Sequence, residues 1–171
     1  MSVRDVPAPK LAVALHYVIA RTHGLGFGAV KLNKTIFAAD RESYRRYGRT
    51  VTGAVSYEKQ KRGPVPNGVL KALAQLKKAG LVRDHQAMTS VGTRKEYLAL
   101  TQPDLSNLTK EDVDVLSQAI SVLRGLTADE ASDQTHDALW DEVEMFGQIP
   151  ISAAAFRPTE IDDDVLAWAR A

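Results

Sequence analysis

Apolar residues recur every three to four positions over the first fifty residues, and this spacing predicts amphipathic α-helices. We expect a first helix from about residue 9 to residue 23, on Leu11, Leu15, Val18 and Ile19. A second helix is expected from about residue 29 to residue 47, with one stripe formed by Leu32, Ile36, Phe37, Asp40 and Tyr44. Gly48 follows at the position where a left-handed helix end favours glycine.

The helical spacing stops after Gly48, and β-prone residues take its place. Two short strands, or a strand-like arm, are expected over residues 50–53 and 54–57, with Gly53 as a bend or bulge. The next segment, Gly63-Pro64-Val65-Pro66, predicts a rigid corner that is neither a helix nor a central strand, because two prolines fix φ and remove backbone donors. A third helix is then expected over residues 67–79, with Asn67 as its N-cap.

The remaining pattern predicts a strand pair followed by short helices. The strands are expected at about residues 81–86 and 96–100, and Thr109 should cap a helix that ends near residue 123. Further helices are expected at residues 129–135, around Trp140, and from Pro158 to residue 169.

These elements predict an α+β fold that is mainly α-helical, a compact helical domain with short β-hairpins. Residues 67–100 resemble the helix-and-wing half of a winged helix. We expect one domain over residues 1–171, with a core at about 10–145 and an acidic helical extension at 146–171.

Composition excludes several classes of site. The chain has no cysteine, which removes disulfides, thiolate nucleophiles and cysteine zinc sites. No apolar run approaches the ~20 residues that a membrane helix needs, and the first ten residues lack the apolar segment of a signal peptide. We therefore expect a cytoplasmic protein that does not act in a membrane.

Charge is distributed unevenly along the chain. Residues 1–100 hold 18 Lys and Arg against 6 Asp and Glu, whereas residues 127–171 hold 2 against 11. A basic first part suits nucleic acid or an acidic partner, and the alternative is that the acidic segment packs near it and compensates the charge.

The titratable residues do not form a recognisable catalytic or metal motif. No two of the four histidines have the i, i+4 spacing that places two imidazoles on one metal. His136 stands beside Asp137, but no partner nucleophile is evident, so we expect His136 and Trp140 to be structural. The glycines 24, 26 and 28 lack the glycine before the lysine that a phosphate loop requires, and we interpret them as an interhelix loop. We predict a protein that is not an enzyme and uses no metal or cofactor.

A basic, tyrosine-bearing tract is the candidate binding surface. Aromatic and Arg side chains are enriched at protein interfaces, and the residues predicted to contact a partner are Arg46, Tyr47, Tyr57, Lys59 and Arg62. The same composition also suits single-stranded nucleic acid or a solvated basic helix face. Basic residues of the 67–79 helix and of the following hairpin make duplex DNA a further alternative.

Three segments together resemble one known family. The first is the segment AADRESYRRYGRTVTGAVSYEKQKRGPVP at residues 38–66. Its order is similar to that of the family: a Tyr, a Gly, Gly53, a second Tyr and then the corner with Gly63, Pro64 and Pro66. The second is the helix and hairpin that follow, and the third is ASDQTHDALWDEV, with its Thr-His and Trp140 element. Over residues ~10–145 the chain resembles the Panacea domain, the SocA-like antitoxin family.

This resemblance implies an antitoxin of a toxin-antitoxin system. Members of the family neutralise varied toxins encoded beside them, usually by direct protein contact. The SocA-type member also serves as a proteolytic adaptor that presents its toxin to a Clp-type protease. The expected partners are therefore a cognate toxin and a Clp-type protease, and the alternative function is a winged-helix DNA-binding transcriptional regulator.

Overall fold

The computed structural model describes residues 9–133 and 138–156, which form helices and two small antiparallel sheets. The helices are α1 (Lys10–Arg21), α2 (Ala29–Tyr47), α3 (Val69–Lys78), α4 (Lys110–Arg124), α5 (Ala128–Asp133), α6 (Ala138–Glu142) and α7 (Ile151–Ala155). The strands are β1 (Ser56–Gln60), β2 (Gly63–Pro66), β3 (Val82–Thr89), β4 (Gly92–Ala99) and β5 (Gln148–Pro150). The predicted α+β class, mainly helical with short β-hairpins, is confirmed.

Helix α2 is the central element of the core. It contacts α1, α4, α5, α7 and β2, and the side chain of Ile36 is completely buried. The helix has the predicted bounds, and Gly48 ends it in the left-handed conformation with φ 68°. Leu15 of α1 and Leu116 of α4 are also fully buried, so three helices share one apolar interior.

The first sheet has the order β2-β1-β5. Tyr57 of β1 lies opposite Pro66 of β2 on one side and opposite Ile149 of β5 on the other. Strand β2 therefore lies at an edge, where a strand tolerates proline because one side of it needs no hydrogen-bond partner. The predicted corner at Gly63, Pro64 and Pro66 is thus part of a hairpin.

The strands predicted at residues 50–53 and 54–57 were misplaced. The strand begins only at Ser56 and continues to Gln60, and its partner is β2. Residues 50–53 form a loop instead, because hydrogen bonds from Thr52 to a buried carboxylate hold the backbone away from any strand partner. Gly53 turns the chain there with φ 81°, a value that suits glycine.

The second sheet is the hairpin β3-β4, which follows α3 as predicted. Its register runs from Val82 opposite Ala99 to Thr89 opposite Gly92, so the strands extend beyond their predicted ends. The predicted N-cap of α3 was wrong: Gly68 occupies that position with φ 81°. The side chain of Asn67 instead donates to Gln148 Oε1 at 2.7 Å.

The packed body continues past residue 145, through elements that the sequence did not reveal. Strand β5 pairs with β1, helix α7 packs on α2, and both Ile149 and Ile151 are buried. Such short segments have no periodicity that distinguishes them from a loop. The helix expected from Pro158 and the residue His136 lie outside the described residues.

Trp140 anchors α6 to the sheet through Lys59. The Lys59 ammonium donates to the carbonyl oxygens of Trp140 and Val143, and it lies 4.7 Å from the centroid of the Trp140 ring. Carbonyl groups at a helix C-terminus lack intrahelical donors, so a lysine stabilises them. Trp140 itself is buried.

Replacing Trp140 by alanine should therefore destabilise the fold strongly. We expect Trp140→Ala to lower the free energy of unfolding by about 3–5 kcal/mol, mostly through the cavity that it leaves. The exposed Val122→Ala on α4 is the control and should change it by less than about 0.5 kcal/mol. Urea titration followed by far-UV circular dichroism measures both, and equal effects of the two variants would contradict a buried anchor.

Candidate partner-binding groove

The five residues predicted to contact a partner do not share one surface. Arg46 and Tyr47 are exposed on the last turn of α2, whereas Arg62 lies in the β1–β2 turn beside the first turn of the same helix. Because α2 rises 1.5 Å per residue, these two ends are on the order of 20 Å apart. Tyr57 and Lys59 lie in the interior between them.

Placing Tyr57 and Lys59 on a contact surface was wrong. The Tyr57 side chain is 0% exposed, its ring packs edge-on against Phe37 at 5.1 Å, and its hydroxyl donates to Asp40. Lys59 is held by the carbonyl groups of the Trp140 segment. Both residues can influence a partner only through the structure that they support.

A buried carboxylate, Asp40, organises the loop after α2. Its Oδ1 accepts from the Thr52 backbone N–H at 3.0 Å, and its Oδ2 accepts from the hydroxyl groups of Thr52 and Tyr57. Burial raises the pKa of Asp40 above its usual value, and these hydrogen bonds oppose that rise. Burial and the neighbouring carboxylate also raise the pKa of Tyr57 well above its usual value.

A second buried carboxylate, Asp112, fixes the other side of the same loop. Asp112 and Thr109 form a reciprocal capping box at the start of α4, and Arg49 Nη1 donates to Asp112 Oδ1. Burial alone would raise the pKa of Asp112, but the bonds from Thr109 and Arg49 hold it below its usual value. The segment between Gly48 and Ser56 is therefore tied to both α2 and α4.

An open groove of about 540 Å³ lies where this loop meets α7. We call it the α2-end groove, and its lining includes Lys10, Tyr44, Arg49, Ala54, Val55 and Ile151. Val55 is 79% exposed, and the ring of Tyr44 meets the exposed ring of Phe156 edge-on at 6.4 Å. Exposed apolar and aromatic groups with basic residues at the margin are typical of protein interfaces.

No arrangement for metal binding is found in the described segments. No group of three His, Asp or Glu side chains within residues 9–133 and 138–156 is placed to hold a metal ion. His16 Nε2 instead bonds the carbonyl oxygen of Thr101 at 3.0 Å, which joins α1 to the end of the hairpin. No helix in this part of the chain is long and apolar enough to cross a membrane.

A comparison of the sequence with models of known protein families gave a match. The family model described as "Antitoxin SocA-like, Panacea domain" matches residues 32–141. The chain belongs to this family. The match to the Panacea domain spans most of α2, both hairpins and α4, and it includes Asp40, Tyr57 and Trp140. No curated protein and no solved structure gave a significant match.

Sequence reasoning missed the buried charges of this Panacea domain. Asp40 stands in the apolar stripe of α2, four residues after Ile36 and four before Tyr44, and that placement was the available signal. Lys31 and Lys34 are buried on the same helix. Ionised side chains are seldom fully buried without a partner, so such positions indicate a hydrogen-bond network or a binding site.

Burial changes the pKa of Lys34. The side chain is 2% exposed, and burial together with the Arg62 charge lowers its pKa to about 8, while Asp133 opposes the shift. Between pH 8 and the unfolded value of 10.5, the unfolded chain binds more protons at this residue than the folded one. The contribution of Lys34 to stability therefore rises with pH in that window.

Removing the hydroxyl group of Tyr57 should weaken the Asp40 network. We expect Tyr57→Phe to lower the free energy of unfolding by about 1–3 kcal/mol, because the buried carboxylate loses a donor while the ring still fills its place. Tyr97→Phe is the matched control, because no hydrogen bond of the Tyr97 hydroxyl group is found among the described residues. This variant should lower the free energy of unfolding by less than Tyr57→Phe does. Chemical denaturation at pH 7 measures both variants. A Tyr57→Phe variant with the unfolding free energy of the wild type would show that the bond to Asp40 does not contribute to stability.

Replacing Lys34 by methionine should have an effect that depends on pH. We expect the stability of Lys34→Met relative to the wild type to fall by about 1–3 kcal/mol as the pH rises from 7 to 10, since 1 pKa unit corresponds to about 1.4 kcal/mol. Urea titrations at several pH values measure it, with the exposed Lys71→Met as control. A difference that stays constant over this pH range would contradict a lowered Lys34 pKa.

Proposed function

We propose that this chain is an antitoxin that neutralises a cognate toxin by direct protein contact. Membership of the SocA-like Panacea family carries this proposal. We further propose that it acts in the cytoplasm and is not an enzyme. The structural support is a groove with the composition of a protein interface, on a loop fixed by two buried carboxylates.

The α2-end groove is the surface proposed to receive the toxin. Its floor contains apolar groups such as Ala54 and Ile151, and Val55 projects beside them into solvent. Arg49 lies 5.8 Å from the ring centroid of Tyr47, so this aromatic side chain is held at the margin of the groove. A rigid aromatic residue next to a pre-formed pocket loses little entropy on binding, which favours its use as an interface anchor.

Charge at this end of α2 is consistent with an acidic patch on the toxin. Arg46 is partly exposed, and its Nε donates to Glu42 on the preceding turn. Exposed ion pairs of this kind contribute little to stability, so Arg46 can leave Glu42 and pair with a carboxylate of the toxin at little cost. Of the residues predicted from sequence, Arg46 and Tyr47 are the ones that we retain for toxin contact.

A role as a proteolytic adaptor is the finer proposal that the SocA likeness supports. In that role the bound toxin would be delivered to a Clp-type protease. Toxin half-life in cells with and without this chain, and with and without the protease, tests this step separately from neutralisation. Neutralisation that persists without the protease would show that contact alone is sufficient.

The DNA-binding alternative rests on helix α3 and the β3–β4 hairpin. Two lysines of this region are paired with Asp84: Lys77 Nζ lies 3.2 Å and Lys95 Nζ lies 3.9 Å from its Oδ1. These pairs reduce the positive charge offered to phosphates. Fluorescence anisotropy with duplex DNA at increasing salt tests the alternative, because phosphate contacts give affinity that falls steeply with salt.

Truncating the exposed anchors should weaken toxin binding without unfolding the chain. We expect the double variant Arg46→Ala with Tyr47→Ala to lose about 2–4 kcal/mol of binding free energy, because interface energy concentrates in Tyr and Arg. Leu70→Ala with Lys71→Ala, an exposed pair on α3, is the matched control. Calorimetric titration with the cognate toxin and rescue of growth on co-expression are the measurements.

A charge placed in the groove gives an independent check on the surface. Val55→Glu adds a carboxylate at an exposed position, so the fold should be unaffected while an apolar contact is lost. Reduced neutralisation by this variant and by the Arg46/Tyr47 pair would support the α2-end groove. Full neutralisation by both folded variants would place the interface elsewhere.

A further inference from the structure

The opposite end of α2 has a second groove, of about 590 Å³, which we call the α2-start groove. Its charged lining is basic: Lys31, Arg62, Arg94 and Lys95 reach it. Arg62, Arg94 and Lys95 are each paired with an acidic side chain, those of Asp129, Glu96 and Asp84 respectively, whereas no such pair of Lys31 is found among the described residues. Among the described lining residues there is no Asp or Glu. The first turn of α2 forms one wall, since Ala29, Val30 and Lys31 all line the groove.

The backbone at this wall presents hydrogen-bond donors. The first intrahelical bond of α2 joins the N–H of Leu32 to the carbonyl oxygen of Gly28, so the preceding amides of residues 29–31 have no helical acceptor. Gly28 provides no side-chain cap, and no acidic residue stands in the first turn. The positive end of this nineteen-residue helix therefore has no acidic side chain of its own, and the nearby Glu96, which is bridged to Gly28, is engaged by Arg94.

Lys31 makes this arrangement unusual, because it adds a positive charge at that positive end. The residue is 7% exposed, and its Nζ lies 4.4 Å from the ring centroid of Phe27. No hydrogen bond or ion pair of its ammonium group is found among the described residues. A buried lysine without an acceptor lowers stability, and local rules are broken in this way mainly at functional sites.

Arg94 is brought to the same place by the glycine loop before α2. A Cβ atom on Gly28 would lie 2.9 Å from the Arg94 Cδ and 3.3 Å from the carbonyl oxygen of Lys95. A Cβ atom on Gly26 would lie 3.1 Å from Arg94 Nη2. The absence of side chains at these two positions lets the arginine lie across the loop, where Glu96 fixes its guanidinium with bonds of 2.9 and 2.6 Å.

We propose that the α2-start groove binds the phosphate group of a small phosphorylated ligand. The oxygens of a phosphate would accept from the amides of residues 29–31 and from the ammonium group of Lys31, with Arg94 beside them. A phosphate fits better than a carboxylate because it has more acceptor oxygens and carries up to two charges. Helix N-termini with backbone donors bind such groups in many proteins.

The volume of the groove indicates a ligand larger than orthophosphate. Small-molecule sites commonly occupy about 300–1,000 Å³, and this groove lies within that range. It is also separate from the α2-end groove, since the two lie at opposite ends of a helix that is about 28 Å long. The proposed ligand site does not depend on the proposed toxin surface, and either proposal can fail alone.

Calorimetric titration of the full chain with pyrophosphate tests this site. We expect wild-type protein to bind, and Lys31→Met to bind at least about tenfold more weakly, which corresponds to about 1.4 kcal/mol. Methionine keeps an apolar stem over Phe27 and removes a buried charge, so this variant should be at least as stable as wild type. A purely structural lysine would instead give a less stable variant.

Matched controls separate the site from general charge attraction. Lys71→Met removes an exposed lysine on α3 and should leave the affinity unchanged. Arg94→Gln should also weaken binding, and in wild type the amide resonances of residues 29–31 should shift on addition of pyrophosphate. Malonate, a dicarboxylate, should bind clearly more weakly than pyrophosphate.

Four results would overturn the proposal. Three of them are no binding of pyrophosphate to the wild type, equal affinity of Lys31→Met and wild type, and equal affinity for malonate and pyrophosphate. Tighter binding of a single-stranded oligonucleotide than of pyrophosphate or ADP would assign the groove to nucleic acid and would also reject a small ligand.

Discussion

The carboxylate of Asp40 is the constraint on which the arrangement of this domain depends. It lies in the apolar stripe of α2, where an ionised group needs donors, and the chain supplies them from Thr52 and Tyr57. Meeting that need bends residues 48–55 back onto the helix and fixes where β1 begins. The position of β1 then determines the positions of β2, β5 and the Lys59 contact with Trp140. One buried carboxyl group therefore specifies a geometry that hydrophobic packing alone would leave open.

Local information was sufficient for the long helices and insufficient for the short helix α7 and the first sheet. Helix α2 and the capping box at Thr109 follow from residues a few positions apart, so their prediction from sequence succeeded. Strand β1 depends on partners at residues 63–66 and 148–150, which no local pattern reveals. The same limit applies to the site. Tyr57 and Lys59 have the composition of interface residues, and only tertiary contacts show that a carboxylate and a helix end hold them inside.

The two ends of α2 have different physical characters. The C-terminal end presents aromatic and apolar groups beside a loop held by Asp40 and Asp112, which suits a protein surface. The N-terminal end places basic side chains and amide groups without helical acceptors around the buried Lys31, which suits a small anion. A helix that runs through the core connects them, and the family match covers nearly all of it. We thus propose that recognition of a macromolecule and recognition of a small molecule use separate surfaces of one domain.

The edge position of β2 restricts how another chain can join this domain. Lys59 exchanges backbone hydrogen bonds with residues 146 and 147, so the residues of β2 that face β1 are Gly63 and Val65. Pro64 and Pro66 consequently direct their backbone nitrogen atoms outward, and neither nitrogen carries a hydrogen. An incoming strand would find no donors at these positions, so the sheet cannot be extended there by β-strand addition. Specificity for any partner at this edge must come from side chains, and the same feature guards the domain against sheet-to-sheet aggregation.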